Sequence, residues 1–484
     1  MERTFKQGID RMQETFLPSR VEDYVNNENP VRAIDAYIDS LNFIELGFKN
    51  STGSGKVRGQ PAFSPASHLK LYLWGYLNRV RSSRRLELEC RRNLELIWLL
   101  NSLKPKYHSI ADFRKDNSVA LRKVHREFII LCKRLDLFSC ELIALDSVYL
   151  EGNASRNSVF TKGKLKAFIK NIDSDIERYN KELDHSDTLF KIPSAGKLSD
   201  KLERLTEERE QLKELQKILA DSDEKQLALT DPDARMLSKS TAKGPTVGYT
   251  VQATVDSKNK LLVTCDITVD SSDSESLVSS IENAKEILEV EQITAVVDSG
   301  YYSEEGLVKC EEKGIELYLP LPDKGKVKRA KGLFERDDFK YDEEINSYLC
   351  PAEELLPFRG TYERDERKMY RYYGKQSICK NCNLRNSCLT ENTKYRTVNR
   401  SEHEEVIERH RVRMRERGPD MMKTRASLAE HPFGTMKLWL GWTHFLVRGI
   451  DKVKGEMAIL STAYNFKRVL NIIGIEKFIA ACTA

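Results

Sequence analysis

Hydrophobic and polar positions along this chain follow two rhythms, and the rhythm switches from one segment to the next. Residues 1–60 show little sustained pattern and run into the Gly-rich "NSTGSGKVRGQPAF", although "PVRAIDAYIDSLNF" within them has helical spacing. From 61 to 137 apolar residues recur every three or four positions, which predicts helices. "SPASHLKLYLWGYLNRV" opens with Ser64 as N-cap and Pro65 at the first helical position. "SSRRLELECRRNLELIWLL" and "SIADFRKDNSVALRKVHREFIILCKRL" continue the pattern. Short helices joined by short polar turns suit a helix-turn-helix-like unit, or a helical bundle with a solvated face.

From 138 the pattern becomes that of strands. "LIALDSVYLEG" carries an apolar run that reaches Asp146, and "QITAVVDSGYYS" one that reaches Asp298; each acid is expected to end its strand. "GYTVQATVDSKNKLLVTCDITVD" reads as a hairpin around "DSKNK", and "IELYLPLP" as a buried strand. "SLVSSIENAKEILEV" and "SEEGLVKCEEKG" have helical spacing. Strand, hairpin, helix, strand, helix, strand predicts a mixed α/β sheet. Two segments interrupt it. Over 163–225 apolar residues from Leu165 to Leu183 and from Leu198 to Leu219 keep helical spacing around a break at "KIPSAG", which predicts a helical hairpin. Arg209 falls where a seam residue belongs, so the pairing is expected within the chain rather than between chains. The second interruption, 335–400, is charged and Tyr-rich and reads as a β-poor insert. The remainder, 401–484, returns to helix in "TRASLAEHPFGTMKLWLGWTHFLVRG" and "GEMAILSTAYNFKRVLNIIG", both read as amphipathic.

Composition narrows the class. The 484 residues are 40% hydrophobic and 32% charged, too long a chain for one small core. No apolar run reaches membrane-spanning length, and "MERTFKQGID" has no signal-peptide character, so a cytoplasmic protein is expected. The net charge of +5 decides little, but its distribution is uneven. Arg79, Arg81, Arg84, Arg85, Arg91 and Arg92 form one basic cluster, and the stretch from Arg409 to Arg425, with Arg411 and Arg413, forms another. Basic clusters of this kind suit phosphate contacts along double-stranded DNA.

Two acids at apolar strand ends suggest a shared carboxylate site. Divalent cations between them relieve their repulsion. Mg²⁺ takes oxygen ligands and retains waters for substrate phosphates. Two such ions roughly 3.5–4 Å apart clamp a phosphodiester for in-line displacement. Glu430 is the candidate third acid; Lys437 lies seven residues on, two helical turns away and on the same face. His431 and Arg425 are near enough in sequence to serve phosphates. Each of these residues alone has an ordinary reading as a capping or solvated side chain. Separately, Cys350, Cys379, Cys382 and Cys388 have the spacing of a long gap followed by C-x2-C-x5-C, which suits a structural Zn²⁺ or four reduced thiols.

The segments "ALDSVYLEGNAS", "VVDSGYYS" and "LAEHPFGTMK", in that order, resemble insertion-sequence transposases of the DDE class. The upstream "QPAFSPASHLKLYLWGYLNRVRSSRRLELECRRNLELIWLL" and "KYHSIADFRKDN" are similar to that family's N-terminal DNA-binding domain. "CPAEELLPFRG" and "CKNCNLRNSCL" are similar to its cysteine-bearing insert. The resemblance implies an N-terminal arm (1–60), a helical DNA-binding domain (61–137), and an RNase-H-like catalytic core in two parts, 138–334 and 401–484. The helical hairpin and the 335–400 insert would interrupt that core. It further implies Asp146, Asp298 and Glu430 as ligands of two Mg²⁺ or Mn²⁺ ions, with Lys437 on a phosphate. The family signature also carries an Arg and a Tyr before the Glu. Arg425 lies one residue further upstream than that pattern, and Met421 and Met422 stand near the expected Tyr. The implied activity is cleavage of transposon ends and strand transfer by a homo-oligomer on DNA. A nuclease without strand transfer and a non-catalytic DNA-binding descendant are the alternatives.

Overall fold

A computed structural model of the chain describes residues 20–49, 62–187, 195–221, 226–237, 246–270, 272–323, 325–364 and 367–483. Residues 1–19 of the arm, most of the Gly-rich stretch and most of the "KIPSAG" break lie outside them. In chain order the strands are β1 (Leu142–Glu151), β2 (Val159–Thr161), β3 (Gln226–Ala228), β4 (Arg235–Leu237), β5 (Thr246–Asp256), β6 (Leu262–Thr268), β7 (Ile293–Val296), β8 (Ile315–Tyr318), β9 (Lys340–Asp342), β10 (Ser347–Leu349), β11 (Leu355–Arg364), β12 (Arg367–Tyr373) and β13 (Thr397–Ser401).

Six of these form the central mixed sheet of an α/β fold. β6 and β4 pair with β5, β5 with β1, β1 with β7, and β7 with β8. β5 runs antiparallel to both β1 and β6, and β7 and β8 run parallel to β1. Side chains alternate across β1. Ile143 and Leu145 therefore face the main core, while Ala144 joins Val296 and Tyr318 beneath Leu428 on the opposite face. Leu428 belongs to the helix Gly418–Gly434, which covers that second face.

The N-terminal helices Pro30–Asp39, Pro65–Leu77, Ser83–Arg92, Leu94–Leu99, Tyr107–Asp116 and Ser118–Arg134 form where the apolar spacing requires. Ser64 Oγ accepts from Ser67 N at 3.2 Å, the cap expected there. These helices share one continuous apolar core with the sheet, because the helix Ile450–Ile473 fills the space between them. That helix is not amphipathic in its setting: 14 of its residues, from Val453 to Val469, are buried. Arg114 and Glu456 meet inside this core at 3.3 Å. The second Glu456 oxygen accepts from Leu446 N and Val447 N at 2.9 and 3.1 Å, so the buried carboxylate is satisfied.

The two interruptions are both compact. Lys162–Asp187 and Ala195–Asp221 pair as a helical hairpin, with Leu165, Ile172, Leu212 and Leu219 buried between them. Arg209 reaches Asp173 across the hairpin at 2.5 Å, which gives the charged seam position a partner within the chain. The 335–400 insert is not β-poor: β9 to β13 form a five-stranded antiparallel sheet in the order β13-β12-β11-β10-β9. Its strands escaped the pattern because arginines and tyrosines occupy both faces of β11 and β12, and only Phe339, Tyr348, Leu356, Tyr372 and Val398 are buried in its core.

Candidate active site

Asp146 does not end its strand. β1 continues to Glu151, paired throughout with β5. The strand that ends is its parallel neighbour. β7 pairs with β1 only over Leu142–Thr294, Ile143–Ala295 and Ala144–Val296, and then stops. Two residues further along stand Asp146, still within β1, and Asp298, just past the end of β7. The gap left by the end of β7 is what opens beside Asp146. Asp298 caps the turn Ser299–Tyr301, accepting from Ser299 N at 2.7 Å. Asp146 accepts from Ser147 N at 2.9 Å.

Between the two acids lies Arg425. Its guanidinium donates to Asp146 Oδ1 at 3.2 Å and lies 3.9 Å from Asp298 Oδ2. The helix Gly418–Gly434 supplies it, held to the sheet by Leu428, Met421 and Met422. Burial raises the pKa of Asp146 above the usual aspartate value, and the nearby Asp298 charge adds to the rise, while Arg425 and the Ser147 amide oppose it. Behind β1 a second network braces both acids. Ser147 Oγ donates to Asp273 Oδ2 at 3.1 Å, Gln252 Nε2 donates to Asp273 Oδ1 at 2.9 Å, and Tyr301 OH donates to Gln252 Oε1. Sequence reasoning missed Asp273 and Gln252. The only signal was the Asp/Ser-rich "DSSDSESL" after the hairpin.

Among the described residues no hydrogen bond or ion pair joins Glu430 or Lys437 to either aspartate. Glu430 is exposed, five residues or about 7.5 Å of helix axis beyond Arg425. Among the described residues no three His, Cys, Asp or Glu side chains are grouped as a metal cage. Nor does a regular helix carry Glu430 to Lys437. Pro432 sits inside the helix, where it cannot donate to the carbonyl of Leu428, and a π-helical turn follows over Thr435–Trp439. The wider turn breaks the two-turn spacing that would put both side chains on one face. His431 contacts Tyr464 OH and Arg468, each at 3.0 Å, so it is held by the protein.

The basic clusters divide. Arg79, Arg84, Arg85, Arg91 and Arg92 are exposed, with Arg91 on Glu87 at 2.7 Å and Arg92 on Glu89. Arg81 turns inward, stacking on Trp442 at 4.6 Å and donating to the His444 carbonyl at 2.9 Å. Arg411 pairs with Glu408 at 2.7 Å, and Arg413 donates to the Leu317 carbonyl at 3.2 Å. The second cluster also meets acids from other elements: Arg409 pairs with Glu311 at 2.6 Å, and Arg417 lies 3.7 Å from Glu316. Cys350, Cys379, Cys382 and Cys388 are free thiols lining one small cavity of the insert. Burial pushes the Cys388 thiol up; Arg396 opposes this and the other three cysteines add to it.

Residues 349–470 match the family model described as the transposase DDE domain, and residues 19–116 match that of a transposase domain (DUF772). The DDE match covers most of the insert, with its four cysteines, and Arg425, Glu430 and Lys437; Asp146 and Asp298 precede it. The DUF772 match covers the helices up to Asp116, including the first basic cluster. No curated protein matches the chain. A cryo-EM structure of a piggyBac transposase synaptic complex with hairpin DNA aligns over 94% of this chain and 80% of that one, at 8% identity and a TM-score of 0.32. Among the described residues no helix is long and apolar enough to cross a membrane.

Proposed function

We propose that this transposase cuts transposon ends and joins them to target DNA by in-line phosphoryl transfer, with Asp146 and Asp298 as its central carboxylates. The observation that carries the reading is that two acids 152 positions apart in sequence, one within β1 and one just past the end of its parallel neighbour β7, lie against one shared cation. The order of three antiparallel strands followed by two parallel ones supports an RNase-H-like core. Hard oxygen donors paired in this way suit Mg²⁺ or Mn²⁺, and Arg425 already marks the position as one that holds positive charge. Bound there, divalent ions would lower the pKa of the attacking oxygen and stabilise the leaving one. The chain's own residues orient the parts: the Asp273–Gln252–Tyr301 network fixes both strands, Glu430 is assigned as third ligand, and Lys437 holds a phosphate. The exposed arginines of 79–92 contact the ends as a homo-oligomer assembles on duplex DNA, at the nucleoid. The cysteine quartet, which lines one cavity without being gathered into a preformed cage, is assigned a structural Zn²⁺, since the insert has only a small apolar core of its own.

A second reading, a DNA-binding descendant without catalysis, is favoured by the exposure of Glu430, which no contact joins to the acid pair. One assay separates the two. With Mg²⁺ and labelled transposon ends, the wild-type chain should cleave and join. Asp146→Asn and Asp298→Asn should bind the same DNA in a gel shift and leave it intact. Binding without cleavage by the wild-type chain would establish the second reading instead.

A further inference from the structure

The π-helical turn after the helix of Arg425 does something that ordinary folding does not favour. It places two large apolar side chains in water side by side: Leu438 is 76% exposed and Trp439 62% exposed. Three residues on, Trp442 is fully buried. A π turn in a helix commonly marks a functional position, because the extra residue costs regular hydrogen bonding. The apolar pair is flanked by cations. Lys437 is exposed beside it, and the Lys467 ammonium lies 5.6 Å from the centre of the Trp439 ring. An aromatic face with an apolar neighbour and flanking ammonium groups matches the chemistry of an unstacked nucleobase and its phosphates: the ring stacks, the aliphatic side chain wedges, and the lysines hold the backbone.

We propose that Leu438 and Trp439 form a platform for an unpaired base of the DNA. Trp439 is the stacking surface, Leu438 the wedge, and Lys437 and Lys467 the phosphate contacts. The inference rests on DNA being the partner, and it adds a contact that neither the acid pair nor the arginine clusters supply. It also gives the π turn a purpose, since the turn ends on the exposed Trp439 while Trp442, beyond it, returns to the core.

Tryptophan emission provides the test. Trp74 and Trp442 are buried, and Trp98 donates to Glu22 at 2.5 Å beneath the Arg32 guanidinium, so Trp439 is the ring left open to a base. The full chain is titrated with an oligodeoxythymidylate and with a blunt duplex. Binding of the single strand should quench emission. Trp439→Ala should lose the quench and weaken single-strand binding by roughly tenfold or more, while duplex binding changes little. Leu438→Ala should keep the quench and reduce the unstacking of a 2-aminopurine reporter in the duplex. Val327→Ala, which removes a side chain 67% exposed on the insert, is the control and should do neither. Trp439→Ala that binds the single strand with an unchanged quench overturns the proposal. So does a DNA-free sedimentation coefficient that falls in Trp439→Ala, since the patch would then be a contact between copies. Duplex binding without single-strand binding sinks the platform alone. A wild-type chain that binds neither sinks the transposase reading as well.

Discussion

The position of Arg425 between Asp146 and Asp298 makes it a built-in counter-ion. Two neighbouring carboxylates repel, and burial already disfavours the charge on Asp146. A guanidinium that relieves this also competes with any other cation for the same oxygens. Arg425→Gln is therefore expected to bind Mn²⁺ more tightly, by roughly fivefold, the equivalent of ~1 kcal/mol for a partly exposed ion pair. Electron paramagnetic resonance titration of Mn²⁺ measures this directly; unchanged or weaker affinity would show that the arginine does not compete. A second prediction concerns His125. Its ring is buried against Thr462, and burial pushes its pKa from the usual 6.5 down to about 4. The unfolded chain binds this proton more readily than the folded one. The contribution to stability is thus full above pH 6.5 and falls away as pH drops towards 4, by up to ~3 kcal/mol. His125→Gln should flatten the melting temperature across that window, as read by thermal denaturation at successive pH values.

Elements were legible where one face is buried and the other wet. Helices such as Pro30–Asp39 and Ser83–Arg92 have that asymmetry, and their apolar spacing exposed them; Pro65–Leu77 and β5 are buried nearly all round and showed instead as apolar runs. The insert sheet lacks it. Tyrosines and arginines cover both sides of β11 and β12, and their pairing is a tertiary fact. The helical hairpin offers an element-scale test. β2 and β3 pair at its base with Thr161 opposite Gln226, so the two ends of the insertion meet. Replacing 162–225 by a short turn should leave the central sheet intact, with unchanged cooperativity of melting in the remaining chain. Loss of the cooperative transition would show that the hairpin supports the core. Chelation offers another. If the four cysteines hold Zn²⁺, a strong chelator should release about one equivalent of metal and lower the melting temperature of the insert, because metal binding is coupled to folding.

The molecule as a whole does not divide where the sequence pattern changes. The N-terminal helices draw their core from Ile450–Ile473, more than 300 residues away, and Arg114 is neutralised by Glu456 on that helix. A fragment of residues 20–137 should therefore fail to show a cooperative unfolding transition by itself. Within the full chain, Glu456→Ala leaves Arg114 buried and unpaired, and strips two amides of their acceptor. It should destabilise by about 3–5 kcal/mol in chemical denaturation, while an exposed pair such as Lys423–Asp420 should cost almost nothing when broken. A small effect of Glu456→Ala would mean that the two halves are held by apolar packing alone.

Local pattern by itself determined most of the helices and the strands of the central sheet, that a mixed α/β sheet lies in the middle, and which acids and cysteines merit attention. It could do so because burial of one face imposes a period that neighbouring residues must share. Only the tertiary structure decided that β7 stops two residues short of Asp298, that Asp146 lies inside a longer strand, and that Arg425 comes between them. The same holds for the exposure of Glu430, the inward turn of Arg81, and the acids that meet the second arginine cluster. These depend on where separate segments end relative to one another, and that is fixed by packing between residues too distant in the chain to leave a joint pattern.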